Sequence, residues 1–212
     1  MKIIPVVNCP DCACVEKTIA IAQGFLRADD WMHIDVTDGV FSEHKTLDDS
    51  IMWNNMNTPF NFEVHLMVLH PEEHVMKWIA AGMKRIIIHF ETITPETARN
   101  ILAMCFKKGV EVMLASNPDT PIEMLKPYFD LFSKFLVLAV SPGPGGQVFN
   151  PRVIDKIKIL KQEGAIIIEV DGGMNPETAT LVKNAGADII ASGFYIFENN
   201  DPTKAYDELK NV

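Results

Sequence analysis

Cysteine is scarce: four residues in 212, three of them (Cys9, Cys12 and Cys14) inside one six-residue stretch. That is too few for a disulfide scaffold, and reduced thiols are expected. No apolar run approaches the roughly 20 residues of a membrane span, and the opening Met1-Lys2-Ile3-Ile4-Pro5 meets proline before a signal-peptide core can form. A cytoplasmic protein with no membrane partner is the expectation. Positive charge is also short, 19 Lys and Arg against 28 Asp and Glu for a net charge of −9. No segment gathers the basic cluster that nucleic acid requires, which removes it as a partner. Linkers, low-complexity tracts and sequence repeats are absent. What is present, 48% apolar and 22% charged residues, is the composition of an ordinary folded chain, and the length suits a single domain over residues 1–212. A homo-oligomer is left open.

Short apolar, β-branched runs recur with helix-length segments between them. They read as eight buried parallel strands: Ile3–Val7, Trp31–Val36, Phe62–Val68, Arg85–His89, Glu111–Ala115, Phe135–Val140, Ala165–Val170 and Asp188–Ala191. Helix starts are marked by Pro71-Glu72-Glu73, Thr94-Pro95-Glu96, Asn150-Pro151 and Asn175-Pro176-Glu177, mostly a capping residue followed by proline at the first helical position. Asp48–Asn57 is the faintest helical segment. Strand-helix alternation without hairpin signals implies a parallel sheet, and eight units favour an α/β fold of the closed (β/α)₈ TIM-barrel type. Such barrels usually take about 250 residues, so short loops and abbreviated helices are expected.

Barrel chemistry sits at the C-terminal ends of the strands. His33 and Asp35 are two apart in one strand and so share a face, which is inward if Met32, Ile34 and Val36 meet the helices. His65 lies in the third strand and Asp171 ends the seventh. Two imidazoles and two carboxylates at one mouth suit a single divalent transition metal: Zn²⁺, Fe²⁺, Mn²⁺ or Co²⁺. Without a metal, two facing carboxylates repel and one takes up a proton. Each residue alone also fits as hydrogen-bonded scaffolding. A second constellation is glycine: Gly143, Pro144, Gly145 and Gly146 after the sixth strand, Gly172 and Gly173 after the seventh, Gly193 after the eighth. These loops can turn backbone N–H groups onto a phosphate, or be no more than tight turns.

At these residues the chain resembles the ribulose-phosphate 3-epimerase family. The resemblance is carried by His33-Ile34-Asp35-Val36-Thr37-Asp38-Gly39, His65-Leu66-Met67-Val68, His89-Phe90-Glu91, Ser116-Asn117-Pro118-Asp119-Thr120-Pro121, Val140 to Phe149 and Val170-Asp171-Gly172-Gly173. It implies a metal-dependent (β/α)₈ isomerase of the pentose phosphate pathway acting on D-ribulose 5-phosphate. It also implies metal ligands at His33, Asp35, His65 and Asp171, with Asp35 and Asp171 as paired acid/base groups for a 1,1-proton transfer through an enediolate. Met67 and the glycines above, with Pro144, Gly193 and Phe194, fall on substrate-binding positions. The chain departs from the pattern at Val6, Thr37, Leu138 and Phe194, where the family carries serine, two methionines and serine, and at Val40-Phe41-Ser42-Glu43-His44. A one-residue slip would put Ser192 in place of the phosphate-binding serine.

These departures keep three alternatives open: a six-carbon substrate such as allulose 6-phosphate, a non-catalytic sugar-phosphate binder, and a redox-sensing relative built on the cysteine cluster. The Cys9-x-x-Cys12 pair is a weak signal for a redox or soft-metal site. His70 and His74, four apart, read as solvated helix residues, and most of the 11 methionines read as core filler.

Overall fold

In the computed structural model, which describes residues 1–212, all eight expected strands form, with ends within two residues of expectation. They are β1 (Lys2–Val7), β2 (Trp31–Thr37), β3 (Asn61–Met67), β4 (Arg85–His89), β5 (Glu111–Ser116), β6 (Lys134–Leu138), β7 (Ile167–Asp171) and β8 (Ile189–Ser192). Every neighbouring pair is parallel and β8 returns to pair with β1, so the sheet closes into a (β/α)₈ barrel.

The outer layer consists of α1 (Cys12–Ala22), α2 (Ser50–Asn55), α3 (Pro71–Ala80), α4 (Pro95–Phe106), α5 (Val153–Gln162), α6 (Pro176–Ala185), α7 (Phe194–Phe197) and α8 (Pro202–Lys210). Between β5 and β6 there is only a 3₁₀ segment, Ile122–Tyr128, with Pro127 inside it. Proline has no N–H to give and its ring blocks a continuing α-helix. This segment and the six-residue α2 are the abbreviations that fit a barrel into the chain. The proline signals hold for α3, α4 and α6; the Asn175 side chain accepts from the Glu177 and Thr178 N–H groups in a capping box. After Asn150-Pro151 the helix begins later than expected, at Val153, because the proline belongs to the preceding turn.

The period of two along each strand separates two cores. Met32, Ile34 and Val36 face outward into the main apolar layer under the helices. Inside the barrel, Ile87, Met113, Ala115, Leu136 and Leu138 fill one half. The other half is polar and fully buried: His33, Glu63, Glu169 and the nearly buried Arg85. Arg85 Nη1 donates to Glu63 Oε2 at 2.5 Å and reaches Glu169 Oε2 at 3.5 Å, while His33 Nδ1 lies 2.8 Å from Glu63 Oε1. Burial opposes the Glu63 anion, but His33 and Arg85 prevail and hold its carboxyl at about 2. Burial and the charge of Glu63 push Glu169 up to about 7.

The expectation of reduced thiols is corrected at one pair. Cys9 and Cys14 form a disulfide, with Cα atoms 5.6 Å apart; the turn from β1 into α1 brings them within the range a disulfide spans. The Cys-x-x-Cys pairing does not form, since Cys12 is free and exposed and Cys105 is buried. His70 precedes α3 as its N-cap, and His74 turns to Asp48 Oδ2 at 3.2 Å instead of toward His70. No helix is long and apolar enough to cross a membrane.

Candidate active site

Strand register assembles the site. Asp35 on β2 stands beside His65 on β3, His33 beside Glu63, and Leu138 on β6 beside Asp171 on β7. Inward alternation then brings His33, Asp35, His65 and Asp171 together with one ligand atom of each within 4.8 Å of the others, all four residues buried. Asp35 Oδ1 lies 3.2 Å from both His33 Nε2 and His65 Nδ1.

The second nitrogen of each imidazole has its own partner. His33 Nδ1 is taken by Glu63. His65 Nε2 lies 2.8 Å from His89 Nε2, and His89 Nδ1 lies 3.1 Å from Glu91 Oε2. If His89 donates Nδ1–H to the Glu91 carboxylate, its Nε2 is an acceptor and His65 must donate Nε2–H. That leaves the lone pair of His65 Nδ1 facing the oxygen of Asp35, two acceptors that a cation would reconcile. Imidazoles held from behind by carboxylates or their relays are the usual surroundings of metal-binding histidines. The donor set therefore fits a divalent metal.

Charge on the site is graded. Burial works against the Asp35 anion, but the hydrogen bond and charge of His33 hold the carboxyl well below the usual carboxylate range. His65 is pushed down to about 4, chiefly by burial. His33 is raised well above the ordinary histidine value: burial opposes its charge, and Asp35, Glu169 and Glu63 overcome it. Asp171 is pushed up to about 8 by burial and by the facing charge of Asp35. One carboxylate is thus an anion and the other a protonated acid at neutral pH, as like charges in one low-dielectric site must divide.

Asp35 and Asp171 form part of the floor of a cavity of about 730 Å³ at the C-terminal mouth. The expected substrate-side residues Met67, Gly143, Pro144, Gly145, Gly146, Gly172, Gly173, Gly193 and Phe194 all line it, together with Val6, Leu138 and Ser192. Thr37 does not; it is buried and bonded through its N–H to Thr46. Ser192 closes β8, and its hydroxyl donates to the Met174 carbonyl at 3.3 Å. No Lys, Arg or His side chain lines the cavity, so an anion there would depend on backbone donors, and the N–H groups of Gly145, Gly146, Gly173 and Gly193 have no backbone acceptor. A Cβ on Gly173 (φ +67°) would lie 2.7 Å from the Phe149 nitrogen, so that glycine is sterically required, while Gly146 sits at φ +81°, a conformation that glycine favours.

Several residues of the site escaped the sequence reading. Glu63 and Glu169 stand two before His65 and Asp171, on the same strand faces, and period-two counting would have found them. His89 ends β4 and Asn8 follows β1, positions where a barrel keeps its chemistry. His44 reaches the site from a loop, and no local pattern announces it.

The closed (β/α)₈ barrel gathers paired carboxylates and imidazoles at its C-terminal mouth, the end where barrel enzymes keep their chemistry. The model of the ribulose-phosphate 3 epimerase family matches residues 4–197. Ribulose-phosphate 3-epimerases of similar sequence include those of Schizosaccharomyces pombe, 31% identical over 99% of this chain and 92% of that protein, and Bacillus subtilis, 34% identical over 85% and 86%. That of Chlamydia trachomatis is 37% identical over 81% of this chain and 76% of that protein. The chain belongs to the ribulose-phosphate 3-epimerase family, and it is an isomerase. Among solved structures, a 3-hexulose-6-phosphate synthase superposes with a TM-score of 0.71 over 100% of this chain and 99% of that one at 15% identity, a likeness of fold alone.

Proposed function

We propose that the chain epimerises C3 of a ketose phosphate, with D-ribulose 5-phosphate and D-xylulose 5-phosphate as the interconverting pair. The observation that carries the reading is the placement of Asp35 and Asp171 in the lining of one cavity at the C-terminal mouth, beside His33 and His65. Inversion of a carbon next to a ketone needs a base on one face and an acid on the other. Asp35, an anion, takes the C3 proton; Asp171, already protonated, delivers its own to the opposite face. The reverse reaction starts with the two protonation states exchanged.

A C–H beside a ketone is a weak acid, and the negative charge that develops on the enediolate oxygens must be offset. His33, Asp35, His65 and Asp171 would hold one divalent transition ion, Zn²⁺, Fe²⁺, Mn²⁺ or Co²⁺, which when bound supplies that offset as a Lewis acid. Met67 and Leu138 form an apolar wall near the carboxylates and limit water there. The phosphate is assigned to the free N–H groups of Gly145, Gly146, Gly173 and Gly193, beside the Phe194 ring.

The test is an assay of purified chain loaded with each metal in turn, against D-ribulose 5-phosphate, allulose 6-phosphate and unphosphorylated ribulose. The highest kcat/KM is expected for the five-carbon phosphate, with loss of epimerisation in Asp171→Asn at measured metal content. Preference for the six-carbon sugar would change the substrate; turnover of none would reject the reading.

A further inference from the structure

Asp35 carries a partner that the proton-transfer reading does not use. The Asn8 amide nitrogen lies 2.8 Å from Asp35 Oδ2 and 3.2 Å from the Gly143 carbonyl, and its two N–H groups serve both. Oδ1 of Asp35 is turned to His33 and His65, so Asn8 holds the other oxygen. The Asn8 carbonyl in turn lies 2.9 Å from His44 Nε2, which must be the donor.

His44 is itself anchored. Its loop is closed by the antiparallel bridge of Asp38 with Lys45, by the Thr46 hydroxyl donating to the Asp35 carbonyl at 2.8 Å, and by the Leu47 N–H donating to the Cys9 carbonyl at 2.8 Å. The Asp38 carboxylate accepts from the Val40 and Phe41 N–H groups. The opposite side of His44 meets Gly143, where an added Cβ would lie 3.5 Å from the His44 Cβ. A flipped Asn8 amide would set its oxygen against two acceptors, so the Asp35 and Gly143 contacts select one orientation and His44 takes the tautomer that donates to it.

We propose that Asn8 and His44 are positioning residues for the epimerisation: Asn8 fixes Asp35 Oδ2 and ties it to the glycine loop after β6, and His44 acts through Asn8 by fixing its amide. This inference rests on the proposed epimerase reading. Small displacements of a reacting group cost rate steeply, so the loss belongs in kcat more than in KM.

The experiment compares Mn²⁺-loaded wild type with Asn8→Leu, His44→Phe and the double variant, measuring kcat, KM, bound metal and thermal midpoint for each. Asn8→Leu removes a hydrogen bond to a charged group and should lower kcat by about 10- to 100-fold, with KM and metal content as in wild type. His44→Phe, which keeps the Cβ beside Gly143, should lower kcat by about two- to ten-fold. The double variant should be no slower than Asn8→Leu alone, because His44 has no other route to Asp35. Unchanged kcat in Asn8→Leu overturns the inference, as does lost metal in that variant or losses that multiply in the double variant. If Asn8→Leu fails to fold, an unchanged kcat in His44→Phe overturns it equally. Wild type without turnover on any ketose phosphate rejects the epimerase reading and this inference with it, whereas active wild type with indifferent variants rejects the inference alone.

Discussion

Asp171 and His65 show how much of the site is decided one side chain at a time. Asp171 keeps a proton to about pH 8 because it is buried opposite an anion, while His65, only three residues of sequence from the apolar Phe62, is kept neutral by the same burial. A neutral imidazole is the form that ligates a metal. His65→Ala should therefore lower bound metal by more than about ten-fold and remove most activity, with the far-UV circular dichroism of wild type. Elemental analysis of the purified variant decides it; full metal occupancy would take His65 out of the site.

Elements place these side chains by simple counting, and that part was legible in the sequence. Period two along Trp31–Val36 put His33 and Asp35 on one inward face, while His65 was placed within the third strand and Asp171 at the end of the seventh. The relay through His89 to Glu91 and the contact of His44 with Asn8 were hidden because they join different βα units, and their partners meet only after the barrel closes. The Cys9–Cys14 disulfide was missed because so few cysteines in so long a chain read as reduced thiols, and the two meet only once the turn from β1 into α1 has formed. The glycine loops are a third case, since sequence could mark them as tight turns or anion sites but not say which glycines are obligatory. Gly173, with φ +67° and Phe149 backbone 2.7 Å from an added Cβ, cannot change without moving the loop after β6. Gly173→Ala should raise KM for a ketose phosphate by about ten-fold or more, the worth of one or two hydrogen bonds to an anion. Steady-state kinetics would show it, and an unchanged KM would place the phosphate elsewhere.

For the whole molecule, the buried polar half of the barrel interior links β2, β3, β4 and β7 through His33, Glu63, Arg85 and Glu169. It supports the site from below, since His33 belongs to both. Arg85 is the only fixed cation there, held against Glu63 and Glu169 with its side chain 5% exposed. Arg85→Met would leave Glu63 and Glu169 with only His33 as a cationic partner and should lower stability by about 3–5 kcal/mol, read as a fall in the urea midpoint at unchanged slope. A loss under about 1 kcal/mol would mean that the carboxylates find protons or water at little cost.

The two-carboxylate proton transfer itself is tested most directly in ²H₂O. Metal-loaded chain incubated with D-ribulose 5-phosphate and followed by proton NMR should form D-xylulose 5-phosphate carrying deuterium at C3, because the proton removed by Asp35 is not the one delivered from Asp171. Asp171→Asn should form none of that product. Epimer formed with its original C3 proton fully retained, or formed undiminished by Asp171→Asn, would contradict transfer between two carboxylates on opposite faces.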